Sequence, residues 1–205
     1  MQNSAGRPLA VVTGASSGIG FELAFQFARA GFDLVVAAED ERIVGSARAF
    51  EAEGGRATAV QADLATYDGV EQLFAAIETR GGRPDALAVN AGIGVGGDFA
   101  RDNELAAELR LINLNITGAV HLAKLVLPGM VGRGEGRVLF TSSIAATAPG
   151  PYHATYAASK AFLASFAEAL RYELRDTGVT VTALMPERAK AATQAKQTEP
   201  RDEER

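Results

Sequence analysis

Six short apolar runs recur along the chain: Leu9–Thr13, Asp33–Ala38, Ala57–Gln61, Ala86–Asn90, Arg137–Ser142 and Val179–Met185. Each has strand length and is rich in Val, Leu or Ala. None alternates strictly with polar residues, which is the pattern of strands covered on both faces. The stretches between them, at about 18–31, 41–53, 67–80, 104–131 and 156–177, are long enough for helices. Strands alternating with helices build βαβ units, and these close into a parallel sheet through right-handed crossovers. Gly31 and Gly178 stand where helices should stop, and glycine supplies the left-handed conformation needed there. The expected fold is therefore α/β and doubly wound, with about six parallel strands and helices on both faces.

A chain of 205 residues with 47% apolar and 22% charged content is an ordinary globular domain. No repeat and no linker precedes residue 187, so one domain is expected over 8–186. The segment 187–205, ERAKAATQAKQTEPRDEER, has no Leu, Ile, Val or Phe and reads as a frayed helix or a disordered tail. A net charge of -5 gives no electrostatic footprint for nucleic acid. With no cysteine, disulfides, thiolate metal sites and thiol catalysis are excluded. No uninterrupted apolar run reaches the roughly 18 residues of a membrane span, and no signal-like segment opens the chain. A cytoplasmic protein without membrane association is expected.

The first chemical feature follows the first strand and opens the first helix: Thr13-Gly14-Ala15-Ser16-Ser17-Gly18-Ile19-Gly20. Three glycines at a tight strand-to-helix turn let backbone approach a pyrophosphate, and the helix N-terminus offers free N–H groups and partial positive charge. Alone this is a glycine-rich turn. The strand before it, the helix after it and an acidic residue 19 positions beyond Gly20 make it a dinucleotide site. That residue, Glu39, ends the second strand and is placed to accept from the adenosine ribose hydroxyls. A 2′-phosphate would meet Glu39 and Asp40 with no Lys or Arg nearer in sequence than Arg42. Like charges repel, so NAD is expected over NADP.

The second feature is Tyr156-Ala157-Ala158-Ser159-Lys160. Residues four apart share a helix face, so the phenol and the ammonium are neighbours. Free tyrosine, with a pKa near 10, is a poor base at neutral pH, and a fixed cation favours its phenolate. Such a phenol can take a proton from an alcohol or return it to a carbonyl. By itself the spacing is also that of any amphipathic helix. Ser143, 13 residues before Tyr156, ends the fifth strand on the edge where ligands of parallel sheets bind. Its hydroxyl can donate to a substrate oxygen as charge develops. Ser142 is the close competitor, and the spacing to Tyr156 favours Ser143. Of the two histidines, His121 reads as a packing or surface residue and His153 as a solvated loop residue near the pocket. Neither has a second ligand at metal spacing, so no metal site is expected.

Together, TGASSGIG, Asn90-Ala91-Gly92, Asn115-Ile116-Thr117-Gly118, Thr141-Ser142-Ser143 and YAASK resemble the short-chain dehydrogenase/reductase family, in that family's order, from about residue 8 to Pro186. The resemblance implies a Rossmann fold binding NAD or NADP. It implies Tyr156 as acid/base, Lys160 on the nicotinamide ribose and tuning Tyr156, Ser143 orienting an alcohol or carbonyl substrate, and Asn115 holding a water relay with Lys160. It also implies that Gly14, Ser16, Ser17, Gly18, Ile19 and Gly20 contact the cofactor, with Asp63 and Leu64 at the adenine. Asn90, Ala91 and Gly92 would line the adenosine ribose, and Pro186 would also touch the cofactor. From the residues alone, Asp63 reads equally as a turn or cap, Asn90-Ala91-Gly92 as a sheet-bridging turn, and Asn115 as a hydrogen-bonded kink in an apolar helix. The helices around 104–131 and 156–177 are apolar beyond one face, and the resemblance assigns them to a homo-oligomer contact. Family members usually continue from Pro-Gly into a substrate loop, a helix and a seventh strand, whereas here Met185-Pro186 is followed by Glu187 and polar residues. Hence a second expectation stands beside the oxidoreductase: a dinucleotide-binding or regulatory protein with little or no turnover.

Overall fold

The computed structural model describes residues 6–187. Six parallel strands, β1 (Leu9–Thr13), β2 (Asp33–Ala38), β3 (Ala57–Gln61), β4 (Ala86–Val89), β5 (Gly136–Thr141) and β6 (Val179–Leu184), form one sheet in the order β3-β2-β1-β4-β5-β6. The doubly wound Rossmann fold expected from the apolar runs is present, and strand bounds differ from the expected ones by at most one residue at each end. The order reverses between β1 and β4, which opens a crevice at their carboxyl ends.

The helices cover both faces. On one, α1 (Gly18–Arg29) and α2 (Arg42–Glu51) bury Ala24, Ala28, Ile43, Ala47 and Phe50 against Val12, Leu34 and Val36. On the other, α3 (Tyr67–Thr79), α5 (Ala119–Arg133) and α6 (Ala154–Glu173) bury Leu73, Ile77, Leu122, Met130 and Leu163 against Val11, Val35 and Phe140. Two covered faces explain why β1, β2 and β4 are buried along their whole length. Gly31 takes φ of +88°, the left-handed conformation expected at the end of α1, whereas α6 stops at Glu173, earlier than expected, and Gly178, at φ +74°, turns the chain into β6.

The long helix expected at 104–131 is built in three parts. α4 (Leu105–Ile112) passes into a π-helical segment, Asn113–Gly118, and then into α5. Assembled, Leu105–Arg133 is apolar and long enough, by length and composition, to cross a membrane, although no single uninterrupted run is. In this fold Leu111, Leu122, Val126 and Met130 are buried in the core instead. Leu105 and Leu109 of α4 and Phe162 of α6 remain exposed.

At the amino edge of the sheet Asp33 is 3% exposed and receives Arg56 and Arg80 at 3.0 Å and Arg7 at 3.5 Å. Burial alone would raise its pKa, but the Arg56 hydrogen bonds and the arginine charges outweigh that and hold the carboxyl below its ordinary value. This network is remote from the crevice. The tail expected over 187–205 lies, beyond Glu187, outside the described residues.

Candidate functional site

β1 ends at Thr13, and the backbone then turns so that Gly14 N and Ala15 N both donate to Ala37 O of β2, at 2.8 and 3.2 Å. Gly14 and Gly18 take positive φ, +68° and +58°. A Cβ on Gly20 would overlap the Gly14 carbonyl oxygen, so only glycine allows the helix to start this close to the turn. Ser17 caps α1 in an extended conformation without a side-chain hydrogen bond to the helix. The first N–H groups of α1 thus remain available to a ligand at the positive end of the helix.

Asn90 ties three strand ends together. Its N–H and that of Ala91 donate to Thr13 Oγ1, each at 2.9 Å, its Nδ2 donates to Thr13 O, and Thr141 Oγ1 donates to its Oδ1 at 3.0 Å. The sheet-bridging role read from the sequence is present.

One cavity of about 590 Å³ runs along this edge, from Glu39 and Asp63 past Gly14 and Asn90 to Ser143, Tyr156 and Lys160. Ser16, Ser17, Ile19, Leu64, Ala91, Gly92 and Pro186 also line it. Of the expected site residues, Gly18, Gly20 and Asn115 do not. Gly20 is packed under the turn. Asn115 is fully buried behind Gly92, where a Cβ would lie 3.1 Å from Asn115 Oδ1 and 3.3 Å from Lys160 Nζ.

The Tyr156 end of the cavity is built from buried, committed side chains. Lys160 is 5% exposed and its Nζ donates to Thr141 O at 2.9 Å, 5.8 Å from the centroid of the Tyr156 ring. Burial disfavours its charged form and pushes its pKa down to about 8. Asn115 Oδ1 accepts from Ile93 N at 2.9 Å, and its Nδ2 donates to Ile93 O and to Ser159 Oγ, both at 3.0 Å. The kink read at Asn115 is thus a π segment that aims its amide at the loop after β4. Ser142 donates to Lys160 O at 2.7 Å and is consumed by the scaffold. Ser143 Oγ only accepts, from Ala145 N at 3.1 Å, which leaves its proton free to donate toward the cavity it lines. His153 is exposed, with its ring 6.5 Å from that of Tyr156, and does not line the cavity. His121 pairs with Glu71 and stacks on Tyr67, away from the cavity.

The adenosine end is charged and open. Arg42 and Ser16 donate to Asp40 at 2.7 and 2.8 Å, and hold its carboxyl down at about 2. Asp63 accepts from Ala65 N, the turn role read from the sequence, while Thr66 rather than Asp63 caps α3. Asp63 also accepts from Arg110, at 3.0 and 3.3 Å, and the same guanidinium lies 2.8 Å from Glu39 Oε2. Burial works to raise the Asp63 pKa, but the Arg110 bonds outweigh it and the carboxyl lies below its ordinary value. The expectation that no cation stands nearer Glu39 than Arg42 is corrected: Arg110 does, brought there by the fold from 71 residues away. No local spacing signals it. Thr13 and Thr141, the other functional residues not singled out, are polar residues closing apolar strands, and that position was the available signal.

The donor set fits a nicotinamide dinucleotide: a glycine turn closed to a Cβ at Gly14 and Gly20, unspent helix N–H groups, carboxylates at one end, and a buried ammonium beside a phenol at the other. This is the arrangement of a dinucleotide-binding α/β domain. The sequence model described as short chain dehydrogenase matches residues 8–203. An oxidoreductase of Myxococcus xanthus is 37% identical over 86% of this chain and 70% of that protein. A short chain dehydrogenase of Pseudocercospora fijiensis is 35% identical over 86% of this chain. The chain spans 58% of the length of the latter. L-Sorbose reductase from Gluconobacter frateurii, solved with NADPH and L-sorbose, superposes with a TM-score of 0.82 at 32% identity, over 88% of this chain and 69% of that one. NAD+-bound xylitol dehydrogenase gives 0.81 at 25% identity, over 88% and 70%. The chain belongs to the short-chain dehydrogenase/reductase family.

Proposed function

We propose that this chain binds a nicotinamide dinucleotide and interconverts an alcohol and a carbonyl, with Tyr156 as the acid/base. The observation that carries the reading is one continuous cavity with the glycine turn at its middle and Tyr156, Ser143 and Lys160 at its end. When bound, the nicotinamide supplies or accepts the hydride. In oxidation the Tyr156 phenolate takes the hydroxyl proton, and in reduction the phenol returns it to the developing alkoxide. Lys160, buried with its Nζ on Thr141 O, would bind the nicotinamide ribose and favour the phenolate. Ser143 donates to the substrate oxygen as negative charge builds. Asn115, whose amide is engaged with Ile93 and Ser159, acts as a positioning residue that fixes the loop running past Tyr156.

The cofactor reading favours NAD. Asp40 is matched by Arg42, while Glu39 and Asp63 share Arg110, leaving net negative charge where a 2′-phosphate would arrive. The exposed Leu105, Leu109 and Phe162 support self-association through α4 and α6 in a protein working free in the cytoplasm.

A panel of secondary alcohols and ketones, followed by NADH absorbance, tests the function. Tyr156→Phe should lower kcat/KM by about a thousandfold while calorimetry shows NADH affinity retained. NADH binding by the wild type with no turnover anywhere in the panel would establish the non-catalytic, dinucleotide-binding reading instead.

A further inference from the structure

Arg110 is placed by α4 over the ends of β2 and β3, in sequence far from both carboxylates it meets. Its two partners differ. Asp63 is two-thirds covered, fixed by the Ala65 N–H, and takes both guanidinium nitrogens. Glu39 is 62% exposed at its side chain and takes one nitrogen, Nη2, at 2.8 Å. Asp63 is therefore the anchor of this arginine, and Glu39 is a competitor for its outward-facing nitrogen. The other cation of this region is spent, because Arg42 grips both oxygens of Asp40 through Nε and Nη2. A guanidinium presents a fork that suits phosphate as well as carboxylate.

We propose that Arg110 is a specificity-determining residue for the cofactor's 2′ position: a latent phosphate ligand that Glu39 holds out of use. The proposal rests on the reading that the cavity takes a nicotinamide dinucleotide. With Glu39 present, its carboxylate occupies Arg110 and repels a 2′-phosphate. With Glu39 neutralised, Asp63 keeps the guanidinium in place through Nη1 and one N–H of Nη2, and the other N–H of Nη2, which faced Glu39, turns to the phosphate.

A double-mutant cycle read by calorimetry of NADH and NADPH separates this from simple relief of repulsion. Glu39→Gln should tighten NADPH by about tenfold, the scale of one charge-assisted contact. Adding Arg110→Gln should erase that gain, and Arg110→Lys, which keeps charge without the fork, should keep only part of it. Both positions are solvent-accessible, so the variants are expected to fold, and the NADH titration of each verifies its site. An equal NADPH gain with and without Arg110 would overturn the proposal while leaving the dinucleotide reading intact. Failure of the wild type to bind either nucleotide would overturn the dinucleotide reading, and this proposal with it.

Discussion

The two ends of the crevice are built on opposite principles. At the Tyr156 end the polar groups are buried and tied mostly to main chain: Lys160 to Thr141 O, Ser142 to Lys160 O, Asn115 to Ile93. At the adenosine end the polar groups are largely exposed side chains bonded to one another, Arg42 to Asp40 and Arg110 to Glu39 and Asp63. A backbone partner cannot leave without moving the strand, helix or loop that carries it, whereas an exposed side-chain pair exchanges partners freely. On the proposed function, the molecule holds the groups around Tyr156 rigidly and leaves the recognition of the cofactor's tail adjustable.

The comparison breaks most visibly with pH at Lys160. Below about pH 8 both the folded and the unfolded chain hold this proton, and the burial penalty is fully felt. Between about 8 and 10.5 the folded chain gives it up first, so its contribution to stability rises with pH, by about 3 kcal/mol in all. Denaturant titrations of wild type and Lys160→Met across this range should show their difference changing by that amount. A constant difference would mean that Lys160 is as well solvated as the adenosine-end groups.

A smaller effect is expected at Ser142. Replacing it with alanine removes its bond to Lys160 O and should lower stability by about 1 kcal/mol in the same titration. The smallest belongs to the other end. Asp40→Asn removes a carboxyl held well below its usual pKa, yet solvent screens that pair and the loss should stay under about 0.5 kcal/mol. What little it contributes is present above pH 3.8 and fades as pH falls through about 2. A larger loss at Asp40 than at Ser142 would reverse the assignment of rigid and adjustable ends.

The same division governs what the sequence revealed. Strands read directly, as at Leu9–Thr13 and Asp33–Ala38, because burial on both faces writes a nearly unbroken apolar run. Gly14, Tyr156 and Lys160 were legible because their geometry is local: a turn, or one step of a helix. The division of the long helix was not, because the π segment is settled by bonds between Asn115 and residues 22 and 44 positions away. Nor was Arg110, whose partners lie 47 and 71 positions away. The fold brings these residues together only after the strands have paired, and no short-range pattern encodes that meeting.

A π turn holds one more residue than the α-helix it interrupts, so the stretches on either side keep the phase they would have without it. A chain shortened by one residue within 113–118 would wind through regularly and still bury Leu111 and Leu122, while the Asn115 amide would swing off the Ile93 loop. Length variation at this point therefore separates architecture from activity: a natural sequence lacking that single residue would keep the scaffold and lose the aim of the site.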